Sequence, residues 1–205
     1  MKKYEITGIQ HPDNPKLFSI QALRDIPKFG VKAGDLGGYI EHEGNLSQAG
    51  ECWISDYAKV LENAHISDDA HVSGGAKVFG NALVFGEAQV YDNAKVYDNA
   101  QVFNLAWVRG NALIFGYAQI FGESSIWGDA QVFDHARVYE DASVYGTTLV
   151  NKNMKILEGC FVTSSDQIYY SDGVTAYFDK YDQLIVNGNS SDIEHHKTLA
   201  RLKLA

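Results

Sequence analysis

Basic residues, long apolar runs and an apolar N-terminal segment are scarce or absent in this sequence, and each of these features excludes a class of function. Basic residues are few, with 17 Lys and Arg against 26 Asp and Glu and a formal net charge of −9. This balance argues against a protein that binds the phosphate backbone of nucleic acids, because that affinity comes mainly from Lys and Arg. No run of 18 apolar residues occurs, so no membrane-spanning helix is predicted. The first six residues lack the apolar segment of a secretory signal. We expect a soluble, acidic protein of the cytoplasm.

A six-residue repeat dominates the middle of the chain. Every sixth residue from Ile54 to Ile156 is Val or Ile, over 18 consecutive hexads. The residue two positions earlier is small and is Ala in 14 of these hexads. Gly, Asp or Asn occupies most of the second and third positions after the aliphatic residue, as in Gly80–Asn81 and Asp92–Asn93. A self-similar pattern of this kind is typical of a solenoid.

The three special positions of the hexad predict the shape of the coil. Side chains alternate along an extended chain, so the Ala and the Val or Ile face the same interior. The Gly, Asn and Asp pairs tolerate positive φ and therefore turn corners. Three such sides close a triangular coil of 18 residues, and each strand pairs with the strand 18 residues further on. A period of six fits neither an amphipathic helix nor an ordinary meander of strands.

The repeat resembles that of a known family. Hexads such as Val84–Gln89 and Val90–Lys95 are similar to the hexapeptide repeat of left-handed β-helix proteins, across roughly residues 50–165. That superfamily includes acyl- and acetyltransferases, γ-class carbonic anhydrases, and uncharacterised bacterial and phage proteins. This chain has Phe or Tyr directly after the aliphatic residue, where the transferases usually have Gly or an acidic residue. This variant, with the Gly-rich stretch Gly34–Ile40, looks more like the phage and prophage subgroup. The resemblance implies a left-handed coil and a phage or prophage origin.

Both ends of the chain depart from the repeat, which predicts three regions. Residues 1–50 form an N-terminal β cap, with short strands at Tyr4–Ile9 and Leu17–Leu23 around a turn, and cover the open first coil. Residues 51–165 form an all-β solenoid of about six coils. Residues 166–205 add strands at 167–170, 174–178 and 184–186. A capping box at Ser191–Glu194 then opens a helix to about residue 203, which docks on the last coil or on a neighbouring subunit.

The two cysteines are predicted to be free. Cys52 and Cys160 both occupy the small inward position and are separated by six coils of 18 residues. At about 4.8 Å per coil their separation is roughly 29 Å, whereas a disulfide needs Cα atoms within about 7 Å. Buried free thiols agree with a reducing compartment.

Aromatic side chains point outward beside the aliphatic positions. Sorting them by 18 residues gives one column per face, with rings about 4.8 Å apart along the coil axis. Such columns stabilise neighbouring coils, and an exposed apolar stripe also marks an interface or self-association. Trp107 and Leu113 enlarge this apolar area on neighbouring faces. The candidate binding residues form three groups, one on each face: Phe79, Tyr97, Phe115 and Phe133; Phe85, Phe103, Phe121 and Tyr139; and Tyr91, Trp107, Trp127 and Tyr145.

No catalytic or metal site is predicted from the histidines. His65 and His71 lie outward on consecutive sides and face different directions, so they do not share a metal within a subunit. No triplet of histidines has the spacing of a carbonic anhydrase. His135, at a corner after Asp134, is the one candidate general base for acyl transfer. No insertion interrupts the hexads to form the wall of a coenzyme A cleft.

Two functions follow from these observations. The first is a non-catalytic solenoid, with no cofactor, that binds a protein partner or copies of itself through its acidic, aromatic-lined faces. Its acidic corners would mimic a nucleic acid and occupy a basic groove; the phage resemblance suggests inhibition of a defence nuclease in the host cytoplasm. The alternative is a trimeric acyltransferase that uses acetyl-CoA, with His135 or a histidine of a neighbouring subunit as base. Membership of the superfamily alone motivates it, and a fold does not determine a function.

Overall fold

The computed structural model describes residues 2–153 and 155–156 in full, and the backbone of residues 160–164, 167–170, 175–178 and 184–187. The predicted helix at 191–203 and the side chains of Cys160, Leu157 and Thr163 lie outside the described residues. Among the described residues there is no α-helix, and strands joined by short turns account for the fold. The prediction of an all-β parallel solenoid is confirmed.

The N-terminal region is a small antiparallel sheet. Strand β1 (Tyr4–His11) pairs with β2 (Asn14–Ala22), and β2 pairs with β3 (Leu36–Ile40). Both hairpin strands reach further into the predicted turn than expected, because His11 pairs with Asn14 and its Nδ1 accepts a hydrogen bond from the Asp13 amide at 3.1 Å. One 3₁₀ turn, Pro27–Phe29, lies between β2 and β3, and a second, Glu43–Asn45, follows β3.

Eighteen two-residue strands then wind around three faces. The first face has β4 (Trp53–Ile54), β7 (His71–Val72), β10 (Gln89–Val90), β13 (Trp107–Val108), β16 (Ser125–Ile126) and β19 (Ser143–Val144). The second face has β5 (Lys59–Val60), β8 (Lys77–Val78), β11 (Lys95–Val96), β14 (Leu113–Ile114), β17 (Gln131–Val132) and β20 (Leu149–Val150). The third face has β6 (His65–Ile66), β9 (Leu83–Val84), β12 (Gln101–Val102), β15 (Gln119–Ile120), β18 (Arg137–Val138) and β21 (Lys155–Ile156).

Pairing between coils follows the 18-residue period without a slip. Val84 is in register with Val102 on the third face, and Val90 with Val108 on the first. Each neighbouring pair within a face is parallel. On the second face, β3 continues the ladder beneath β5, so the N-terminal sheet and the solenoid form one continuous sheet.

The first face continues into the C-terminal region. Strand β22 (Cys160–Ser164) pairs in parallel with β19, as the next coil would. Strands β23 (Gln167–Tyr170), β24 (Thr175–Phe178) and β25 (Leu184–Asn187) then pair in antiparallel order. All three lie within a residue of the predicted bounds.

The core is a narrow prism of Ala, Val and Ile. Every described Ala of the repeat position is fully buried, as are the aliphatic residues from Ile54 to Val144. Ser124 and Thr148 replace Ala in two hexads, and their hydroxyls donate to the carbonyls of Phe121 and Tyr145 at 2.8 Å and 2.6 Å. Polar atoms are therefore accepted in this core only where a backbone acceptor lies within reach.

The corners combine positive φ with hydrogen bonds between coils. Asp56 has φ of 55°, and its carboxylate accepts the amide of Gly74 in the next coil at 3.0 Å. Asp92 repeats this arrangement with Gly110 at 3.1 Å. Several glycines alternate with acidic or Asn residues in these corner columns, and a side chain at such a glycine would meet the backbone of the coil beyond. A Cβ on Gly122 would lie 2.6 Å from the Glu140 nitrogen.

Candidate protein-binding surface

Two of the three outer columns are regular stacks of rings. On the second face, Phe79, Tyr97, Phe115 and Phe133 stack with centroids 4.8–5.0 Å apart and planes within 4° of parallel. On the third face, Phe85, Phe103, Phe121 and Tyr139 stack at 4.8–5.0 Å, within 5°. All eight rings are half-buried. Their faces contact one another, so the stacks contribute packing between coils, and only the ring edges face solvent.

The column on the first face has a different composition. The Arg109 guanidinium lies 5.3 Å from the centre of the Trp127 ring, and Trp127 stacks on Tyr145 at 4.4 Å. Tyr91 precedes Arg109 by one coil in this column. Burial raises the pKa of Tyr91, while the positive charge of Arg109 opposes that shift. The first face therefore combines Tyr, Arg and Trp in one column.

Trp107 lies beside this column and is the most exposed tryptophan of the described chain. It is 46% exposed, and Leu105 at the adjoining corner is 44% exposed. The next two coils place Ser125 and Ser143 in register above Trp107. Because serine is small, no large side chain of these two coils covers the indole. Trp107 and Leu105 thus form an exposed apolar patch on the first face. We call this patch the Trp107 surface.

An acidic edge borders the Trp107 surface. The corner column that contains Leu105 also carries Glu87, Glu123 and Asp141, all exposed. The N-terminal cap reaches the lower end of this edge, where Lys28 binds Glu87 at 2.8 Å and Asp69 at 3.3 Å. The cap therefore covers the first coils of the first face and leaves the coils around Trp107 open.

His135 and His65 each have separate contacts and do not share a site. His135 is exposed at its corner, stacks on Tyr117 at 5.0 Å, and its amide donates to the Lys152 carbonyl at 2.9 Å. His65 Nδ1 lies 2.6 Å from the Gly44 carbonyl. Among the fully described residues, no three His, Cys, Asp or Glu side chains are grouped so that they could hold a metal ion.

One set of outward residues was missed at the sequence level. Lys59, Lys77 and Lys95 immediately precede the aliphatic residues of the second face and lie in register on neighbouring coils. The three lysines are 18 residues apart in the sequence, so the period that predicts the aromatic columns also predicts this one.

Within the described residues, no helix has the length and hydropathy that crossing a bilayer requires.

Comparison with known proteins agrees with the repeat. Residues 88–105 and 130–146 match the YdcK beta solenoid repeat family. A candidate acetyltransferase from Bacillus cereus has a TM-score of 0.34 and 13% identity, over 78% of this chain and 87% of that one. A hexapeptide transferase family protein from Anaplasma phagocytophilum has a TM-score of 0.32 and 11% identity, over 81% of this chain and 89% of that one. No curated protein sequence matches the chain.

Proposed function

We propose that this hexapeptide-repeat β-solenoid is a non-catalytic binding protein and that the Trp107 surface contacts a partner protein. The observation that carries the proposal is the exposure of Trp107 at 46%, next to Leu105 at 44%, on a face whose other outward side chains are mainly serine and planar polar or aromatic groups. Trp, Tyr and Arg are the residues most enriched among those that dominate binding energy at protein interfaces.

The contrast with the other two faces supports this choice. Their rings are stacked on one another and half-buried, so their apolar area is already used within the chain. The Trp107 indole instead faces a column of serines. An exposed apolar area bordered by polar residues is typical of an interaction site.

Rigidity also favours binding by this surface. Trp107 lies on a two-residue strand that pairs with β10 on one side and β16 on the other. Because the backbone is held on both sides, binding costs little ordering entropy beyond the side chains themselves. A preorganised sheet of this kind suits a stable complex.

The acidic edge indicates the charge of the partner. Glu123 and Asp141 border the Trp107 surface beyond Glu87, which Lys28 already pairs, and the chain carries a net charge of −9. Complementary potentials favour a partner with a basic surface and speed their encounter. The resemblance to the phage and prophage subgroup supports a host protein in this role, and a defence nuclease with a basic groove has the required charge. Mimicry of a nucleic acid by the acidic edge is part of this proposal.

The test is capture of a partner by matched variants. Trp107→Ser is chosen because the next two coils already carry serine at this position. Tyr57→Ser is the control, because Tyr57 is 72% exposed at a corner of the first coil, away from the surface. We expect a bacterial protein to be retained by the wild type and by Tyr57→Ser and lost with Trp107→Ser. Equal retention by all three proteins would contradict the proposal.

A second measurement addresses the alternative acyltransferase function. We expect calorimetric titration with acetyl-CoA at millimolar concentration to give no binding heat. Binding that is lost with His135→Gln would contradict a non-catalytic role and favour His135 as a general base.

A further inference from the structure

The second face carries a column of three lysines in an acidic protein. Lys59 is in register with Lys77, and Lys77 with Lys95, on three successive coils. Their backbones are about 4.8 Å apart from coil to coil. Lys77 and Lys95 are exposed and Lys59 is half-buried. Like charges placed directly opposite on neighbouring strands destabilise a sheet, so this column has an energetic cost.

Among the described residues, no ion pair offsets this cost. The ion pairs of that part of the chain involve Lys2, Lys28 and Lys32, and none involves the column. The carboxylates of Asp56 and Asp92 at the adjoining corner accept the amides of Gly74 and Gly110, and no hydrogen bond joins them to the lysines. A local rule of sheet stability that is broken without compensation is expected at functional sites.

We propose that the lysine column is the docking site for an extended acidic segment of a partner protein. Three lysines on successive coils span about 9.6 Å, which is the length of about three residues of extended chain. Each ammonium group lies at the end of a flexible stem and can therefore follow carboxylates that are not spaced by the coil. Charge complementarity selects the acidic residues of such a segment.

The ends and sides of the column add apolar contacts. Leu113 follows Lys95 in register on the next coil, and Tyr39 precedes Lys59. The edges of the Phe79 and Tyr97 rings lie in the neighbouring column of the same face. An acidic segment with an apolar residue at one end matches this order of side chains.

The same face is poorly suited to a single-stranded nucleic acid. Proteins that bind such strands stack bases on the faces of aromatic rings. Here the faces of Tyr97 are occupied by Phe79 and Phe115 at 4.9 Å and 5.0 Å. A carboxylate segment of a protein is therefore the favoured occupant.

This site is separate from the Trp107 surface, because the lysines lie on the second face and Trp107 on the first. The inference does not depend on the proposed function. Trp107→Ser should leave the lysine column intact, and substitutions in the column should leave the Trp107 surface intact. Failure of one proposal is thus distinguishable from failure of the other.

The test is fluorescence anisotropy with a fluorescein-labelled hexaglutamate peptide at low salt. We expect the Lys59→Gln, Lys77→Gln, Lys95→Gln triple variant to bind at least about tenfold more weakly than the wild type, and the wild-type affinity to fall as salt is added. The control removes three other lysines from the N-terminal region, Lys2→Gln, Lys16→Gln and Lys32→Gln, and changes the net charge equally. The control and Trp107→Ser should bind like the wild type.

Folding of the variant is checked by its melting temperature. Removing the repulsion in the column should leave the triple variant as stable as the wild type or more stable. If the triple variant does not fold, Lys77→Gln alone should bind the peptide with an intermediate affinity. Equal weakening by the column and control variants would overturn the proposal. So would tighter binding of a thymidine hexanucleotide than of the peptide, or no binding of the peptide by the wild type.

Discussion

The Phe29 ring lies against the His71 imidazole, with centroids 4.4 Å apart and planes 17° from parallel. His71 Nε2 is also 2.9 Å from Ser55 Oγ on the coil below. The pair joins the 3₁₀ turn of the N-terminal cap to the first face of the solenoid. The cap is thus docked on an imidazole that the Phe29 ring shields from water.

This contact predicts a dependence of stability on pH. Burial lowers the pKa of His71, and the nearby charge of Asp56 opposes that shift. The unfolded state therefore binds the proton first as the pH falls, so stability is complete above about 6.5 and declines as the pH falls through the lowered pKa. Chemical unfolding at about pH 7.5 and about pH 5 measures the difference.

The control for the pH effect is His71→Phe, which keeps a ring against Phe29 but cannot take up a proton. We expect its stability to change less between the two pH values than that of the wild type. The pKa of His11 is also lowered, first by burial and then by Lys59, so a smaller dependence should remain. An unchanged dependence in His71→Phe would contradict the assignment.

Stacked rings should contribute more to stability than the exposed indole. Phe103 stacks between Phe85 and Phe121, at 4.8 Å from each. We expect Phe103→Ser to lower the free energy of unfolding by about 1–3 kcal/mol, because two cross-strand contacts and buried apolar area are lost. Trp107→Ser should change it by less than about 0.5 kcal/mol, as is usual for exposed positions. Similar losses in both variants would contradict this difference.

Corner glycines should not tolerate a methyl group. Gly122 has φ of 72°, and a Cβ there would lie 2.6 Å from the Glu140 nitrogen and 2.8 Å from its carbonyl oxygen. We expect Gly122→Ala to destabilise the protein by about 1–3 kcal/mol through backbone strain and steric contact. Gly8→Ala is the matched control, because no heavy atom lies within 4 Å of its Cβ position. Thermal unfolding of both variants compares the two sites.

The inward alanines should set the width of the prism. Ala106 is fully buried. We expect Ala106→Leu to cost about 1–3 kcal/mol or to abolish folding, because the extra methylene groups have no space. Ala106→Ser should cost less, since Ser124 occupies the equivalent position in the next coil and donates to Phe121. If the leucine variant is as stable as the serine variant, the core is less tightly packed than the burial indicates.

The sequence predicted the solenoid because a six-residue period determines it locally. Val84 and Val102 pair as expected, and Phe85 and Phe103 stack on the outside. The free, buried Cys52 is also confirmed. In each case the prediction depends on which positions of the hexad face inward or outward, and the repeat carries that pattern from coil to coil. The bounds of the C-terminal strands followed from turn residues in the same way.

The contacts of the N-terminal cap were beyond sequence reasoning because they join segments without a repeat. Lys3 is fully buried, and its Nζ donates to the Cys52 carbonyl at 2.8 Å and to the Ala49 carbonyl at 3.2 Å. Burial lowers the pKa of Lys3. No periodicity relates residues 3 and 52. The greater exposure of Trp107 depends on Ser125 and Ser143 in the next two coils, which only the 18-residue sorting of the position before the aliphatic residue brings together.

Because all coils pair at the same 18-residue interval, the length of the prism is quantised. Adding or removing one full coil would keep the strands of each face in register and would shift the later coils by about 4.8 Å along the axis. Whole coils inserted or deleted between the Trp107 surface and the lysine column would therefore change their separation along the axis and leave each site intact. The axial distance between the two proposed sites can therefore change in steps of one coil without a change in either site.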